Sequence, residues 1–321
     1  MQQMISKMQP VDGGGSRIAV VFNGSPLFSG DAGSGMSEIR RWIVENDWLD
    51  AIIGLPDQLF YNTGIHTYVW VVTNRKRPDR RGHVQLIDAR QLYAKMRKSL
   101  GNKRNELTRS HIAEITALYE DFTDGERSKV LPNSAFGYRK VTVERPLRVH
   151  YEITEQTVAA VAAVKSVVSL GDRAGAVLDA LSALADERYP TLAALETALA
   201  PVWAKVGKVG APVRKAVLGA AMVRDPDAEP ARTKKGCEPD PDLRDTENIP
   251  LDEAVDAFIE REVLPFAPDT WVDDSKTKVG YEIPFTRHFY RYVPPRPLSE
   301  IDADIKASQQ RILQLLAEVT E

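Results

Sequence analysis

Two apolar segments are the main evidence for the fold: Ala51-Ile-Ile-Gly-Leu-Pro56 and Thr67-Tyr-Val-Trp-Val-Val-Thr73. Apolar runs of this length are typical of strands that are buried on both faces of a sheet. Only about ten residues separate the two runs, and they show no helical pattern. Because a parallel return needs a longer crossover, the spacing predicts that the second strand runs antiparallel to the first.

The residues before this pair predict a parallel unit. A further apolar run, Arg17-Ile-Ala-Val-Val-Phe22, predicts another strand that is buried on both faces. A Gly- and Ser-rich loop over 23–35 and a predicted helix over 36–46 connect it to the strand at Ala51. Strand, loop, helix and strand in this order favour a parallel crossover, and Val84-Gln-Leu-Ile-Asp88 predicts one more strand. The fold class is therefore α/β.

The composition is that of a globular protein with about two domains. The chain has 321 residues, of which 43% are apolar and 27% charged, and its formal net charge is −3. Its single cysteine, Cys237, and five scattered histidines predict neither a disulfide nor a metal site. No apolar run reaches the ~18 residues of a membrane span, and residues 1–9 lack a signal-peptide pattern, so we expect a cytoplasmic protein.

Three further regions follow the first strands. Residues 106–223 are predicted to be mainly helical, with three or four helices over 154–206 and one strand over Tyr138–Glu144. Residues 224–250 are rich in Pro, Asp, Glu and Lys, which predicts a linker or an extended arm. Residues 251–321 form the last region and end in a predicted helix over 299–321.

The loop between the predicted strands at Ala51 and Thr67 has the sequence most suggestive of a binding site, Leu55-Pro-Asp-Gln-Leu-Phe-Tyr-Asn-Thr-Gly64. In open α/β sheets, ligands bind beyond the carboxyl ends of the strands, and Phe60 and Tyr61 would present aromatic faces there. Such faces can stack a nucleobase. The alternative is that Phe60 or Tyr61 caps the core beneath the loop.

A basic stretch follows the second strand. From Arg75 to Arg104 there are eleven cations and two acids, in a chain whose total charge is −3. The stretch follows closely on the aromatic loop, which favours a surface that binds phosphates, although a solvated charged face is the alternative. The residues of this stretch predicted to contact nucleic acid are Arg75, Lys76, Arg77, Arg80 and Arg81.

The last predicted helix has apolar residues spaced by three and four positions. They are Ile301, Ile305, Ile312, Leu315 and Val319, with Ser308 in the remaining slot. This pattern predicts a coiled-coil contact with a partner helix, and packing on the chain's own domain is the alternative.

Several strings of residues occur in the order found in one protein family. They are Asn23-Gly-Ser-Pro-Leu-Phe28, Ser37-Glu-Ile-Arg-Arg-Trp42, Ile53-Gly-Leu-Pro56, Leu59-Phe-Tyr-Asn-Thr-Gly64, Phe136-Gly-Tyr-Arg139, Thr142-Val-Glu-Arg-Pro-Leu147 and Lys276-Thr-Lys-Val-Gly-Tyr-Glu-Ile-Pro-Phe285. On these strings the chain resembles the C-terminal part of the modification subunit of type I restriction-modification systems, a DNA adenine-N6 methyltransferase. The resemblance covers essentially all 321 residues.

The resemblance implies a fold, a substrate and partners. Residues 1–105 would be the C-terminal half of a class I (Rossmann-like) methyltransferase domain, with the antiparallel strand inserted into a mostly parallel sheet. Phe60 would stack the flipped adenine. Its neighbours in the base pocket would be Tyr61, Asn62, Thr63 and Gly64. The methyl donor of the family is S-adenosylmethionine, its partners are DNA and the specificity and restriction subunits, and the terminal helix would dock on the specificity subunit.

Two family motifs do not occur in the sequence. The family binds S-adenosylmethionine through Asp-Pro-x-x-Gly-x-Gly-Gly and orients the adenine amino group with Asn-Pro-Pro-Phe or Asn-Pro-Pro-Tyr, whereas the only Pro-Pro here is Pro294-Pro295. Methyl transfer needs both the cofactor and the amino group held in line. We therefore expect no catalytic residue in this chain, no cofactor binding by it alone and no independent activity. The chain is interpreted as truncated, with a cut edge at the helix Met1–Met8. The alternative function is a non-catalytic DNA-binding and assembly module that docks on the specificity subunit.

Overall fold

The computed structural model describes residues 1–185, 187–207, 209–234 and 236–320, and for 318–320 it describes the backbone alone. The strands are β1 (Arg17–Asn23), β2 (Leu49–Leu55), β3 (Thr67–Thr73), β4 (His83–Asp88), β5 (Ala94–Leu100), β6 (Lys103–Glu106), β7 (Ser128–Pro132), β8 (Gly137–Glu144), β9 (Val149–Glu152), β10 (Arg188–Tyr189), β11 (Met222–Arg224), β12 (Arg232–Thr233), β13 (Gly236–Cys237), β14 (Asp245–Pro250) and β15 (Trp271–Tyr281). The helices are α1 (Gln2–Ile5), α2 (Ser25–Phe28), α3 (Gly35–Glu45), α4 (Arg109–Asp121), α5 (Glu155–Ala162), α6 (Lys165–Val168), α7 (Asp172–Ser182), α8 (Leu192–Val206), α9 (Ala211–Ala221), α10 (Val255–Phe258), α11 (Phe285–His288) and α12 (Leu298–Thr320).

The described chain forms two compact units. The first unit contains Met1–Ser29, Trp42–Asn133 and Glu282–Glu321, and the second contains Gly30–Arg41 and Ser134–Tyr281. No helix of the described residues is both long enough and apolar enough to cross a membrane.

A five-stranded sheet forms the centre of the first unit, in the order β1, β3, β2, β4 and β7. β3 lies between β1 and β2 and is antiparallel to both, which confirms the predicted antiparallel return. β1 and β2 therefore point the same way, as the parallel unit requires, and β4 runs parallel to β2. Both faces of β2 and β3 are covered, because almost all of their residues are buried.

The sheet differs from the prediction at both of its edges. Along β1, exposed and half-buried residues alternate, so the apolar run at Arg17–Phe22 is not buried on both faces as predicted. At the other edge, β7 pairs antiparallel with β4, so the sheet continues past residue 105, where we predicted that this domain ends. The opening helix is also shorter than predicted, since α1 ends at Ile5.

In the second unit, α5 to α9 pack around an apolar core together with β9 and β10. The four helices α5 to α8 match the three or four predicted over 154–206. The fully buried residues of α5 to α9 include Val161, Leu181, Leu195 and Val217. The predicted helical region over 106–223 is nevertheless interrupted by strands, since β7 to β11 lie within it.

A second sheet, in the order β14, β8 and β15, contains the last six residues of the region over 224–250, which was predicted to be a linker or an extended arm. Asp245–Pro250 is a strand that pairs antiparallel with β8, and its Ile249 is fully buried. Most of its other side chains are exposed, because this strand lies at the edge of the sheet. An edge strand with a single buried apolar residue has the same polar composition as a linker. The sequence pattern therefore does not distinguish such a strand from a linker.

Candidate functional site

The aromatic loop over 56–66 connects the carboxyl end of β2 to the start of β3. Phe60 is 38% exposed and Tyr61 is 62% exposed, while Leu59 beside them is buried. Leu59 therefore packs into the core below the loop, whereas Phe60 and Tyr61 are both exposed at its surface. A bridge between Phe60 and Thr63 closes a tight turn that places Tyr61 and Asn62 at its tip. Both rings can accept a flat ligand from solvent.

A hairpin formed by β5 and β6 braces this loop. The backbone N–H groups of Arg104 and Asn105 both donate to the carbonyl oxygen of Gln58, at 2.9 and 3.1 Å, and the N–H of Asn102 donates to that of Tyr61 at 3.2 Å. Asn105 is fully buried, and its Nδ2 donates to the backbone and side-chain oxygens of Asp57 at 2.9 and 3.1 Å. The sequence analysis missed Asn105, because its partner lies 48 residues away.

The same edge of the sheet carries an ion pair next to aromatic rings. Arg90 donates two hydrogen bonds to the carboxylate of Asp88, at 2.7 and 2.8 Å. Burial alone would raise the pKa of Asp88, but the bonds from Arg90 outweigh it and hold that pKa below its usual value. The guanidinium of Arg90 lies 5.6 Å from the ring centre of Phe285, which in turn packs edge-on against Tyr68 at 5.1 Å.

Phe285 belongs to a segment that returns to this edge from the far end of the sequence. The N–H of Ile283 donates to the carbonyl oxygen of Leu27 at 2.8 Å, and Phe285 is 2% exposed. A pocket of about 260 Å³ lies beside it, lined by residues that include Leu27, Phe28 and Tyr68. Burial raises the pKa of the Tyr68 hydroxyl, so that group is neutral at physiological pH. Among the described residues, no group of His, Cys, Asp and Glu side chains is arranged to hold a metal ion.

The five cations predicted to contact DNA lie at the opposite end of the sheet from the aromatic loop. In the pairing of β2 with β3, Leu55 faces Thr67 and Leu49 faces Val72. The loops before β3 and after it are therefore separated by the full length of a seven-residue strand, about 20 Å. The expectation that these cations adjoin the aromatic loop is wrong.

Lys76, Arg77 and Arg75 have structural partners. Lys76 is buried and donates to Asp47 at 2.5 Å and to the carbonyl oxygen of His83 at 2.7 Å. Arg77 pairs with Asp79 at the surface, and Arg75 donates to a backbone carbonyl oxygen at 3.1 Å. Burial lowers the pKa of Lys76, although its bond to Asp47 opposes this. These contacts leave Lys76 unavailable to a phosphate.

Arg80 is the most deeply buried cation of the group, at 1% exposed. Its guanidinium donates to Asp50 at 2.8 Å, to Gln85 Oε1 at 3.0 Å and to the carbonyl oxygen of Tyr119 at 2.9 Å. The ring centres of Tyr119 and Phe122 lie 4.3 and 4.1 Å from the central carbon, Cζ, of this guanidinium. Arg80 holds α4 against the sheet, so the prediction that it contacts DNA is wrong. Of the five cations, Arg81 is exposed and has no ion-pair partner among the described residues.

The predicted contact residues on α12 are largely open to solvent. Ile305, Ile312 and Leu315 are each more than half exposed, and Ile301 is partly buried. The side chain of Val319 lies outside the described residues. The alternative that this face packs on the chain's own domain does not hold for the three exposed residues, and the partner helix stays a prediction.

Comparison with known proteins identifies the part of the chain that carries the aromatic loop. The family model described as N-6 DNA Methylase matches residues 1–142. Residues 1–142, which we call the methylase region, are therefore similar to the N-6 DNA methylase family. The resemblance to modification subunits of type I restriction-modification systems is confirmed, and the family match covers residues 1–142 rather than essentially all of the chain. The methylase region includes the whole five-stranded sheet and the hairpin that braces the aromatic loop.

Two curated relatives are methylase subunits of type I restriction enzymes. The MjaIX methylase subunit of Methanocaldococcus jannaschii is 32% identical over 124 residues, which are 38% of this chain and 21% of that protein. The HindI methylase subunit of Haemophilus influenzae is 35% identical over 92 residues, which are 29% of this chain and 19% of that protein. The chain thus spans about a fifth of the length of the curated relatives it matches.

A solved type I methyltransferase subunit from Streptococcus thermophilus is similar to part of the chain. It is 27% identical, the match covers 37% of this chain and 24% of that chain, and the TM-score is 0.32.

Proposed function

We propose that the methylase region forms the target-base side of a DNA methyltransferase that methylates adenine at N6, as part of a type I restriction-modification enzyme. The observation that carries this proposal is the exposed and braced pair Phe60 and Tyr61 at the carboxyl edge of the sheet. A base inside a duplex cannot be methylated at its amino group until it is extruded and held, and an aromatic face is suited to hold it.

The residues described at this edge do not fit S-adenosylmethionine, the methyl donor of the family. The pocket beside Phe285 has a volume of about 260 Å³, below the ~300 Å³ at which small-molecule sites begin. Both oxygens of Asp88, the carboxylate beside it, already accept hydrogen bonds from Arg90, at 2.7 and 2.8 Å. We derive no step through the cofactor, and we propose that the chain alone does not catalyse methyl transfer.

Replacing Phe60 with alanine is expected to weaken binding of a single-stranded oligonucleotide that carries 2-aminopurine in place of adenine. The lost stacking corresponds to about 1–3 kcal/mol, or roughly a 5- to 150-fold rise in Kd. Quenching of 2-aminopurine fluorescence on the full chain measures both the affinity and the stacking. Tyr292→Ala is the control, since Tyr292 is exposed but lies outside the loop. Equal quenching by wild type and Phe60→Ala would refute the assignment.

We also propose that α12 binds another subunit of the enzyme, with the specificity subunit as first candidate and the restriction subunit as second. The exposed residues Ile305, Ile312 and Leu315 support this, because apolar side chains in a heptad pattern are stabilised by a partner helix. Deleting residues 299–321 is expected to abolish co-purification with the specificity subunit while the rest of the chain keeps its melting temperature. Unchanged co-purification would contradict the proposal.

A further inference from the structure

The hairpin of β5 and β6 is strongly basic. Between Ala94 and Glu106 it carries five cations and one acid. The cations are Lys95, Arg97, Lys98, Lys103 and Arg104, of which Lys103 is half-buried and the others are exposed. We call these thirteen residues the basic hairpin.

The charge of the basic hairpin is not neutralised by its surroundings. None of its five cations makes an ion pair with a carboxylate among the residues that the structure describes. Lys95 contacts the ring of Tyr93 at 5.0 Å, which leaves its charge in place. By contrast, Lys76, Arg77 and Arg80 at the other end of the sheet all have acidic partners. Exposed cations without partners attract a polyanion.

The basic hairpin and the aromatic loop form one continuous surface. The backbone of the basic hairpin donates hydrogen bonds to the carbonyl oxygens of Gln58 and Tyr61 in the aromatic loop. The buried side chain of Asn105 donates to Asp57 in the same loop. At the hairpin turn, Gly101 has a φ of 58°, and a Cβ there would lie 3.3 Å from the carbonyl oxygen of Tyr61. Glycine thus permits both the turn and the close approach. Cations and exposed rings are held at a fixed distance from each other.

We propose that the basic hairpin binds the DNA phosphates that flank the base held by the aromatic loop. The inference rests on the proposed function and replaces the surface predicted at Arg75–Arg81. An acidic protein or an anionic membrane would satisfy the cations alone, whereas a nucleic acid satisfies the cations and the neighbouring rings of Phe60 and Tyr61 together. β5 is seven residues long, about 20 Å, which spans several phosphates of one strand.

The test compares two triple variants of the full chain that remove the same charge. Lys95→Gln, Arg97→Gln and Lys98→Gln change the basic hairpin. Arg75→Gln, Arg77→Gln and Arg81→Gln change exposed cations at the opposite end of the sheet. The dissociation constant for a 30-base-pair duplex is measured by fluorescence anisotropy at KCl concentrations between 50 and 300 mM. Melting temperatures confirm that each variant is folded.

The hairpin variant is expected to bind at least tenfold more weakly and to show a flatter salt dependence. Each phosphate contact contributes about 0.9 to the slope of log K against log salt, so three lost contacts flatten that slope by about 2.7. The control variant keeps the wild-type slope. A wild-type slope for the hairpin variant, an equal loss in both variants, or no DNA binding by wild type overturns the proposal.

The outcomes separate this proposal from the proposed function. If Phe60→Ala keeps 2-aminopurine quenching while the hairpin variant loses its salt slope, the phosphate site stands and the base-holding role fails. If Phe60→Ala loses quenching while the hairpin variant keeps its slope, the phosphate site fails alone. Binding of wild type to phosphatidylserine vesicles but not to DNA, with the same dependence on Lys95, Arg97 and Lys98, also overturns the proposal.

Discussion

Replacing Arg80 with alanine is expected to lower the free energy of unfolding by about 3–5 kcal/mol. Arg80 and its partner Asp50 are each 1% exposed, so the variant leaves a carboxylate in the protein interior without its cation. Two other groups contact the carboxylate of Asp50. The hydroxyl of Tyr119 donates a hydrogen bond to it, and Nη2 of Arg17 lies 4.0 Å from its Oδ2. A distant and largely solvated cation does not compensate a buried charge.

Tyr119 cannot reduce the cost of the unpaired Asp50 carboxylate by transferring its hydroxyl proton to it. Burial, together with the hydrogen bond to Asp50, raises the pKa of Tyr119 to about 12. Its hydroxyl therefore remains a neutral donor at physiological pH.

Urea denaturation of matched variants measures the effect. Arg81→Ala is the control, because Arg81 is the exposed neighbour of Arg80, and it is expected to change stability by less than about 0.5 kcal/mol. A second variant, Arg80→Met with Asp50→Asn, removes both charges and is expected to recover much of the loss. A loss below about 1 kcal/mol in Arg80→Ala would show that the pair does not hold α4 to the sheet.

Phe285→Ala is expected to destabilise the first unit by about 3–5 kcal/mol, the range for a large aromatic residue removed from a core. Phe285 is 2% exposed and packs against Tyr68 and Phe289, each at 5.1 Å between ring centres. A Cβ built on Gly54 would lie 2.8 Å from its ring, so the strand carries glycine where the ring approaches.

The control for Phe285→Ala lies five residues further along the chain. Tyr290 is 69% exposed, and Tyr290→Ala is expected to change stability by less than about 0.5 kcal/mol. Chemical denaturation followed by near-ultraviolet circular dichroism reports the loss of aromatic packing directly. If Phe285→Ala and Tyr290→Ala unfold at the same denaturant concentration, the segment around Ile283 does not anchor to the sheet.

The antiparallel return from β2 to β3 was predictable because it depends on a short connection. The ten-residue connection before Thr67 forced an antiparallel return, and the bounds of β3 match the predicted strand. The helices over 154–206 followed from periodicity. The strand at Asp245–Pro250 was missed because its pairing partner is about a hundred residues away and its exposed side chains are polar.

The basic stretch shows why charge alone does not locate a binding surface. In the sequence, Arg75 to Arg104 form one basic stretch. In the structure, the two halves of this stretch lie at opposite ends of the sheet, because the intervening strand β4 runs from one end to the other. The acids that neutralise Lys76 and Arg80 are Asp47 and Asp50, about thirty residues earlier. Only register and long-range pairing reveal which cations are structural and which remain unpaired.

The bonds that Asn105 makes to Asp57 have a kinetic consequence for ligand capture. Because the loop and the hairpin are joined before any ligand arrives, little conformational entropy remains to be lost when a base meets the ring of Phe60. Association would then be governed by long-range attraction to the hairpin and would slow with added salt, whereas residence time would depend on the ring. Because the Asn105 side chain joins the two segments, the basic hairpin would set the association rate of a ligand and the aromatic loop its dissociation rate.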